Sequence, residues 1–239
     1  MSTEKLTQEE IDRMMSELTQ APVAASTTIS QMESDIIGEV GNISMSQAAT
    51  TLSEILGHKV HITTPQVFVK SIREVIDAAV KPKIITSIGF KKGLTGNNLL
   101  LMDAQDSVII ANLMMGGDGQ VTSSELTELE LSAVGEAMNQ MMGSSATAMA
   151  TMLGKMIDIL PPEVHLVDDK EHFNVDIGVD NLNADVCLIA FQLEVEGILQ
   201  SEIMQVFTMD AVKEIEDHIA ELEAQLSAIG AGGVEPMHN

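Results

Sequence analysis

Asp35, Glu39 and Asn42, and then Ser132, Glu136 and Asn139, are the residues of this sequence whose types and spacing could do chemistry. Each triplet runs i, i+4, i+7, and a proline follows 23 positions after its Asn: Pro65 in the first copy, Pro162 in the second. Every member of the second set lies 97 residues after its counterpart. On an α-helix the three side chains of a triplet fall within an arc of roughly 60°, so each copy presents a carboxylate and a carboxamide side by side. A carboxamide both donates and accepts hydrogen bonds, so it can orient a water molecule without being a strong base. That suffices when the electrophile is already reactive. An acyl phosphate qualifies, because phosphoryl transfer depends chiefly on an in-line nucleophile and on charge neutralisation. The neighbouring Glu can form a salt bridge to a Lys of a partner. Neither triplet has an Arg/Lys phosphate clamp, and the six His lack metal-ligand spacing with Cys, Asp or Glu. The cation would therefore come with the substrate, which implies a protein substrate. One such stripe would ordinarily be a solvated helix face. Two in the same register argue against that, and leave a hydrogen-bonding feature kept after duplication as the competing account.

Composition narrows the class. The 239 residues are 45% hydrophobic, enough for one large domain or two intimate halves. Trp and Tyr are absent and Phe numbers only 5, so 17 Met together with Leu, Ile and Val must fill the interior. A formal net charge of −24 argues against nucleic acid and against anionic membranes, both of which require clustered Lys and Arg. Cys187, the single cysteine, sits in an apolar run and reads as a buried hydrophobe; one Cys forms no intramolecular disulfide and fits a reducing compartment. The N-terminus lacks a basic region followed by an apolar one, and no apolar run approaches a membrane span, so a cytoplasmic protein that does not span a membrane is expected. Gly116-Gly117-Asp118-Gly119 lacks the order of a phosphate loop and reads as a turn.

The elements that must position the triplets follow from periodicity and stop signals. Residues 29–56 read as a helix ending near Gly57, with Ile36, Val40 and Ile43 as the apolar face beside the first triplet. Strand-like runs follow at 59–62, 66–69, 83–90 and 98–102, then a helix opened by Asp103. The second half repeats the order: a helix over 127–154, strand-like runs at 164–167, 173–179, 185–193 and 198–207, and a closing helix from Met209 to about Ile229. Helix followed by strands, twice, predicts an α/β protein of two pseudo-symmetric halves, about 29–120 and 121–229. Gly38 and Gly41, inside the first motif helix, read as close-packing points. Ahead of the domain, residues 6–18 form a short amphipathic pattern. Thr7 and Glu10 have capping-box spacing, and Ile11, Met14 and Leu18 make a stripe. Residues 19–28 read as a linker and 230–239 as a linker or tail. A tethered, marginal amphipathic helix suits a peptide that folds in a partner's groove; a helix capping its own domain is the alternative.

The pattern Asp/Ser-x-x-x-Glu-x-x-Asn-x22-Pro, present as Asp35, Glu39, Asn42, Pro65 and as Ser132, Glu136, Asn139, Pro162, resembles the signature of the CheC/CheX/FliY phosphatases. These remove phosphate from the chemotaxis response regulator CheY. The resemblance covers about residues 29–229. It implies a CheC-like fold with a shared β-sheet flanked by helices, and hydrolysis of the aspartyl phosphate of CheY-P. Glu39 and Glu136 would engage the regulator, and Asn42 and Asn139 would place the attacking water. Asp35 and Ser132 occupy the variable first position, and Pro65 and Pro162 read as structural. No cofactor of its own is implied; Mg²⁺ is supplied by the regulator. The segment containing Leu6, Thr7, Gln8, Glu10, Ile11, Asp12, Met14 and Met15 looks like the peptide by which flagellar switch proteins capture phosphorylated CheY. Peptide, linker and CheC-like domain together resemble the FliY branch, which implies partners of the FliM, FliN and FliG type at the cytoplasmic face of the flagellar basal body. FliY members usually continue into a FliN-like domain, which is not expected within these 239 residues. The competing expectation is a non-catalytic switch module that binds CheY-P through its N-terminal peptide.

Overall fold

A computed structural model describes residues 29–79, 81–121, 126–167 and 182–231. The amphipathic segment 6–18, the linker 19–28, the strand expected at 173–179 and residues 232–239 lie outside them. In chain order the elements are α1 (Gln31–Leu56), β1 (Val60–Ile62), β2 (Gln66–Ser71), α2 (Ile72–Ala78), β3 (Lys83–Lys92), β4 (Asn97–Asp103), α3 (Ala104–Met114), α4 (Glu128–Met152), β5 (Asp158–Ile159), β6 (Glu163–Val167), β7 (Asp185–Val195), β8 (Leu199–Thr208) and α5 (Met209–Ala231). No helix among the described residues is long and apolar enough to cross a membrane.

Both motif helices begin the same way. At α1 the Ser30 hydroxyl oxygen accepts from the Glu33 N–H, and the Glu33 carboxylate accepts from the Ser30 N–H. Thr127 and Glu130 do the same at α4. These reciprocal caps satisfy donors that the first turn leaves free. The repeat thus extends upstream of the triplets, because Ser30 and Thr127, like Glu33 and Glu130, also stand 97 residues apart. Gly57 ends α1 at φ 65°, a left-handed conformation that costs Gly nothing sterically.

Among the described residues the strands form one eight-stranded antiparallel sheet, ordered β1-β7-β8-β4-β3-β5, with β2 also on β7 and β6 also on β3. This order reads the same from either end when first-half and second-half strands are exchanged. The register repeats the symmetry: across β4 and β8, Asn98 faces Phe207, Met102 faces Ile203, and Leu100 faces Gln205 at the centre. A pseudo-two-fold axis therefore passes through the middle of the sheet, normal to it. Each half sends its first two strands to the far strand of the other half: β1 and β2 to β7, β5 and β6 to β3. The halves are interlocked, and neither completes its sheet without the other.

Helices α1 and α4 lie on one face over a single core that includes Ile37, Val40, Met45, Leu52, Val134, Met138, Met142, Ile189, Phe191 and Phe207. The apolar face expected on α1 holds at Val40 and shifts by one position at Ile36 and Ile43. Ile37, Val40, Ser44 and Ala48 are buried, whereas Ile36 is half-buried and Ile43 is exposed. The cause is close approach: a Cβ added at Gly41 would stand 3.2 Å from Ile189 and 3.3 Å from Phe191, so the helix seats on its small residues. Helix α2 is not among the expected elements. It packs Ile72, Val75 and Ile76 against Ile85, Leu101 and Leu188 on the opposite face. Its sequence signal is a third capping box, Ser71 with Glu74, immediately before Val75 and Ile76. Asp103 precedes α3 as expected, but its side chain does not cap it. Burial raises the Asp103 carboxyl, and hydrogen bonds and charge from Lys83 and Lys81 outweigh that and hold it below the usual range.

Candidate functional site

The two triplets occupy equivalent places on α1 and α4, in the first half of each helix. Asp35, Glu39, Ser132, Glu136 and Asn139 are exposed, and Asn42 is half-buried. Among the described residues the side chains of Glu39, Asn42 and Asn139 accept or donate no hydrogen bond, so their polar atoms are open to a partner. Gln31 donates through Nε2 to Asp35 at 2.8 Å, and Gln140 donates through Nε2 to Glu136 at 2.7 Å. Glu39 and Asn42 are three residues apart, as are Glu136 and Asn139, so each pair stands as neighbours on the helix surface.

The structure gives the downstream prolines a role. Pro65 and Pro162 stand immediately before β2 and β6. These strands pass beside the motif helices at Gly38 and Gly135, the residues just before Glu39 and Glu136. A Cβ on Gly38 would be 3.4 Å from Val67, and one on Gly135 would be 3.6 Å from Val164. Pro pre-sets the backbone at a strand entry and donates nothing to the ladder. Proline, strand and glycine thus fix the height of each Glu–Asn pair over the sheet. Because β2 and β6 border opposite sides, the two pairs lie over opposite edges of the sheet. Five strand spacings of about 4.8 Å separate these edges, roughly 20–25 Å in a twisted sheet. One phosphorylated residue can meet only one pair at a time.

The family comparisons agree with this division. The model of the CheC-like family matches residues 32–69 and again 129–166, which are the stretches from motif helix through proline to strand. The crystal structure of Thermotoga maritima FliY is 41% identical and superposes with a TM-score of 0.76 over 82% of this chain and 99% of that one. The chain belongs to the CheC/CheX/FliY family. The flagellar motor switch phosphatase FliY of Bacillus subtilis (strain 168) is 41% identical over 221 residues, 90% of this chain. The chain spans 57% of that protein's length. The CheY-P phosphatase CheX of Thermotoga maritima is 35% identical over 81 residues, 34% of this chain and 50% of CheX. Family membership carries the fold, which is the mixed α/β architecture expected from the sequence.

Other candidate chemistry falls away. Cys187 is buried in the core, and its thiol is pushed up to about 12 by burial and then by the charge of Glu216. It is protonated at neutral pH and no nucleophile. Glu216, on α5, has a raised carboxyl pKa, from burial first and then from the carboxylates of Glu33 and Asp217. Among the described residues its Oε1 is buried without a hydrogen-bond partner. A carboxyl raised in the folded state stabilises the fold below its unfolded value near 4.5, and that contribution is lost as pH rises through the folded value. Glu216→Gln is therefore expected to raise the melting temperature at pH 7 and to change it little at pH 4. Thermal scans at the two pH values check this, and an unchanged or lower melting temperature at pH 7 refutes it.

Proposed function

We propose that this chain hydrolyses the aspartyl phosphate of the chemotaxis response regulator CheY, using the two Glu–Asn pairs as independent sites. The observation that carries the reading is their geometry: two solvent-reaching carboxylate–carboxamide pairs, set by the same cap, glycine and proline, over opposite edges of one sheet. Fold alone would not license an activity, since one fold hosts many. The phosphatase names of the FliY and CheX relatives agree with the reading.

In each site the Glu, Glu39 or Glu136, pairs with a cation of the regulator and fixes its orientation. The Asn beside it, Asn42 or Asn139, enters the regulator's phosphorylated cleft, where its carbonyl oxygen accepts from a water and aims the water's lone pair at phosphorus. The water oxygen attacks in line, the bond between phosphorus and the aspartyl oxygen breaks with its electron pair staying on the regulator's aspartate carboxylate, and the water's protons leave with the inorganic phosphate. No residue of this chain is assigned to a metal; Mg²⁺ held by the regulator would supply neutralisation of the developing charge. The pair therefore supplies orientation, and the acyl phosphate supplies the reactivity. Asp35 and Ser132, one turn earlier, lie further from the Asn and play a secondary part.

Residues 6–18 capture CheY-P and raise its local concentration beside the sites. The flagellar motor switch named in the Bacillus subtilis relative supports placing this chain with switch proteins of the FliM, FliN and FliG type, at the cytoplasmic face of the basal body. The test is phosphate release from CheY-P with and without the full chain. Acceleration is expected; CheY-P binding with no acceleration refutes the enzyme and leaves a binding module. Deleting residues 1–20 should raise KM at least about tenfold and leave the rate at saturating CheY-P unchanged, the pattern of lost tethering. An unchanged KM removes the docking role.

A further inference from the structure

The two pairs match at Glu and Asn but not at the residue after the Asn, and in the second copy that residue is hydrogen-bonded to the Glu. In the second copy it is Gln140, whose Nε2 donates to Glu136 Oε1 at 2.7 Å. In the first copy it is Ile43, which offers Glu39 no donor and instead lines a groove of about 610 Å³ with Gln47 of α1 and Ser144, Thr147, Ala148 and Met152 of α4. Ile43 is 37% exposed. The hydrogen bond held by Gln31 in the first copy goes to Asp35, the secondary position, and not to Glu39.

We propose that Gln140 is a positioning residue that holds Glu136 in place, and that the Ile43/Gln140 difference makes the two sites unequal in capturing the phosphorylated regulator. The inference rests on the phosphatase reading above. A free Glu loses rotamer freedom when it grips a partner, and a Glu already held by its neighbour loses less. The hydrogen bond uses one lone pair of Glu136 and leaves its charge and its other oxygen for the partner. The Asn that orients the water is the same in both copies, so the difference falls on capture and not on chemistry.

The experiment uses the full chain with one Asn removed at a time. Asn42→Ala leaves the second site and Asn139→Ala the first. The second-site protein is expected to show a KM about twofold lower than the first-site protein, with similar kcat, in keeping with an exposed i,i+4 side-chain hydrogen bond. Gln140→Ile in the Asn42→Ala background should raise KM to the first-site value with kcat retained. Ile43→Gln in the Asn139→Ala background should lower KM by the same factor. Equal KM values in the two parent proteins, or a Gln140→Ile change confined to kcat, overturn the inference. If instead Asn42→Ala/Asn139→Ala keeps full activity, Asn is not in the mechanism and the two-site reading on which the inference rests has failed. If the parent chain itself gives no acceleration, the phosphatase reading has failed. A second measurement stands in either case: the Gln140 side-chain amide resonances should shift in Glu136→Ala, and unmoved resonances refute the positioning role.

Discussion

Asn42→Ala/Asn139→Ala, combined in one chain, is expected to abolish acceleration of CheY-P hydrolysis, a loss of at least about 100-fold relative to the parent. The substitution removes only the group that orients the water. Both Asn side chains reach solvent and make no hydrogen bond among the described residues, so the fold loses nothing when they are truncated. The circular dichroism spectrum and melting temperature should match the parent. Each single variant should retain part of the activity, because the pairs lie over opposite edges of the sheet and neither needs the other to be occupied. Undiminished phosphate release from the double variant would remove Asn from the mechanism. Loss of the whole activity in one single variant would show that the other pair does not turn over.

Phe191→Ala is expected to be the most destabilising truncation near a site. Phe191 is buried on β7, faces Ile203 across the ladder, and lies 3.3 Å from the position of a Cβ on Gly41. Removing its ring leaves a cavity directly beneath the turn of α1 that carries Asn42. Such truncations cost about 3–5 kcal/mol, a large share of a total stability of about 5–15 kcal/mol. The melting temperature should fall by roughly 6–20 °C for a domain of this size. At temperatures where the variant is folded, the first site should lose more activity than the second, since α4 carries Met138 and not a glycine at the position matching Gly41. The Asn139→Ala and Asn42→Ala backgrounds separate the two. A fall of less than about 3 °C, or equal loss at both sites, would show that the motif helix does not depend on this contact.

The motif helices and most strands are legible in the sequence because their signals are local. A capping Ser or Thr, a terminal Gly, a 3.6-residue period and a constant offset of 97 residues all lie within one element or between two copies of it. Helix α2 carries the same kind of signal in Ser71 and Glu74 but sits directly after a strand, where no break in composition separates the two. The apolar face of α1 keeps Val40 but shifts by one position at Ile36 and Ile43 for a different reason. Gly41, Ser44 and Ala48 do not look like a core stripe, yet they are what lets α1 seat on Ile189 and Phe191, and hydrophobicity alone points to Ile36 and Ile43 instead.

By itself the sequence determined that a carboxylate and a carboxamide would be neighbours on a helix, twice, because helical spacing makes i and i+3 adjacent whatever surrounds them. Only the tertiary structure decided where those pairs stand relative to each other. That depends on strands leaving each half to complete the other's sheet, and on a register symmetric about Leu100 and Gln205, pairings between residues about a hundred positions apart. No periodicity within a segment encodes a partner at that distance. The structure also showed why a proline 23 residues downstream belongs to the site. It starts the strand whose Val67 or Val164 packs at the glycine before the Glu, and so sets the pair at the edge of the sheet, where a protein substrate can reach it.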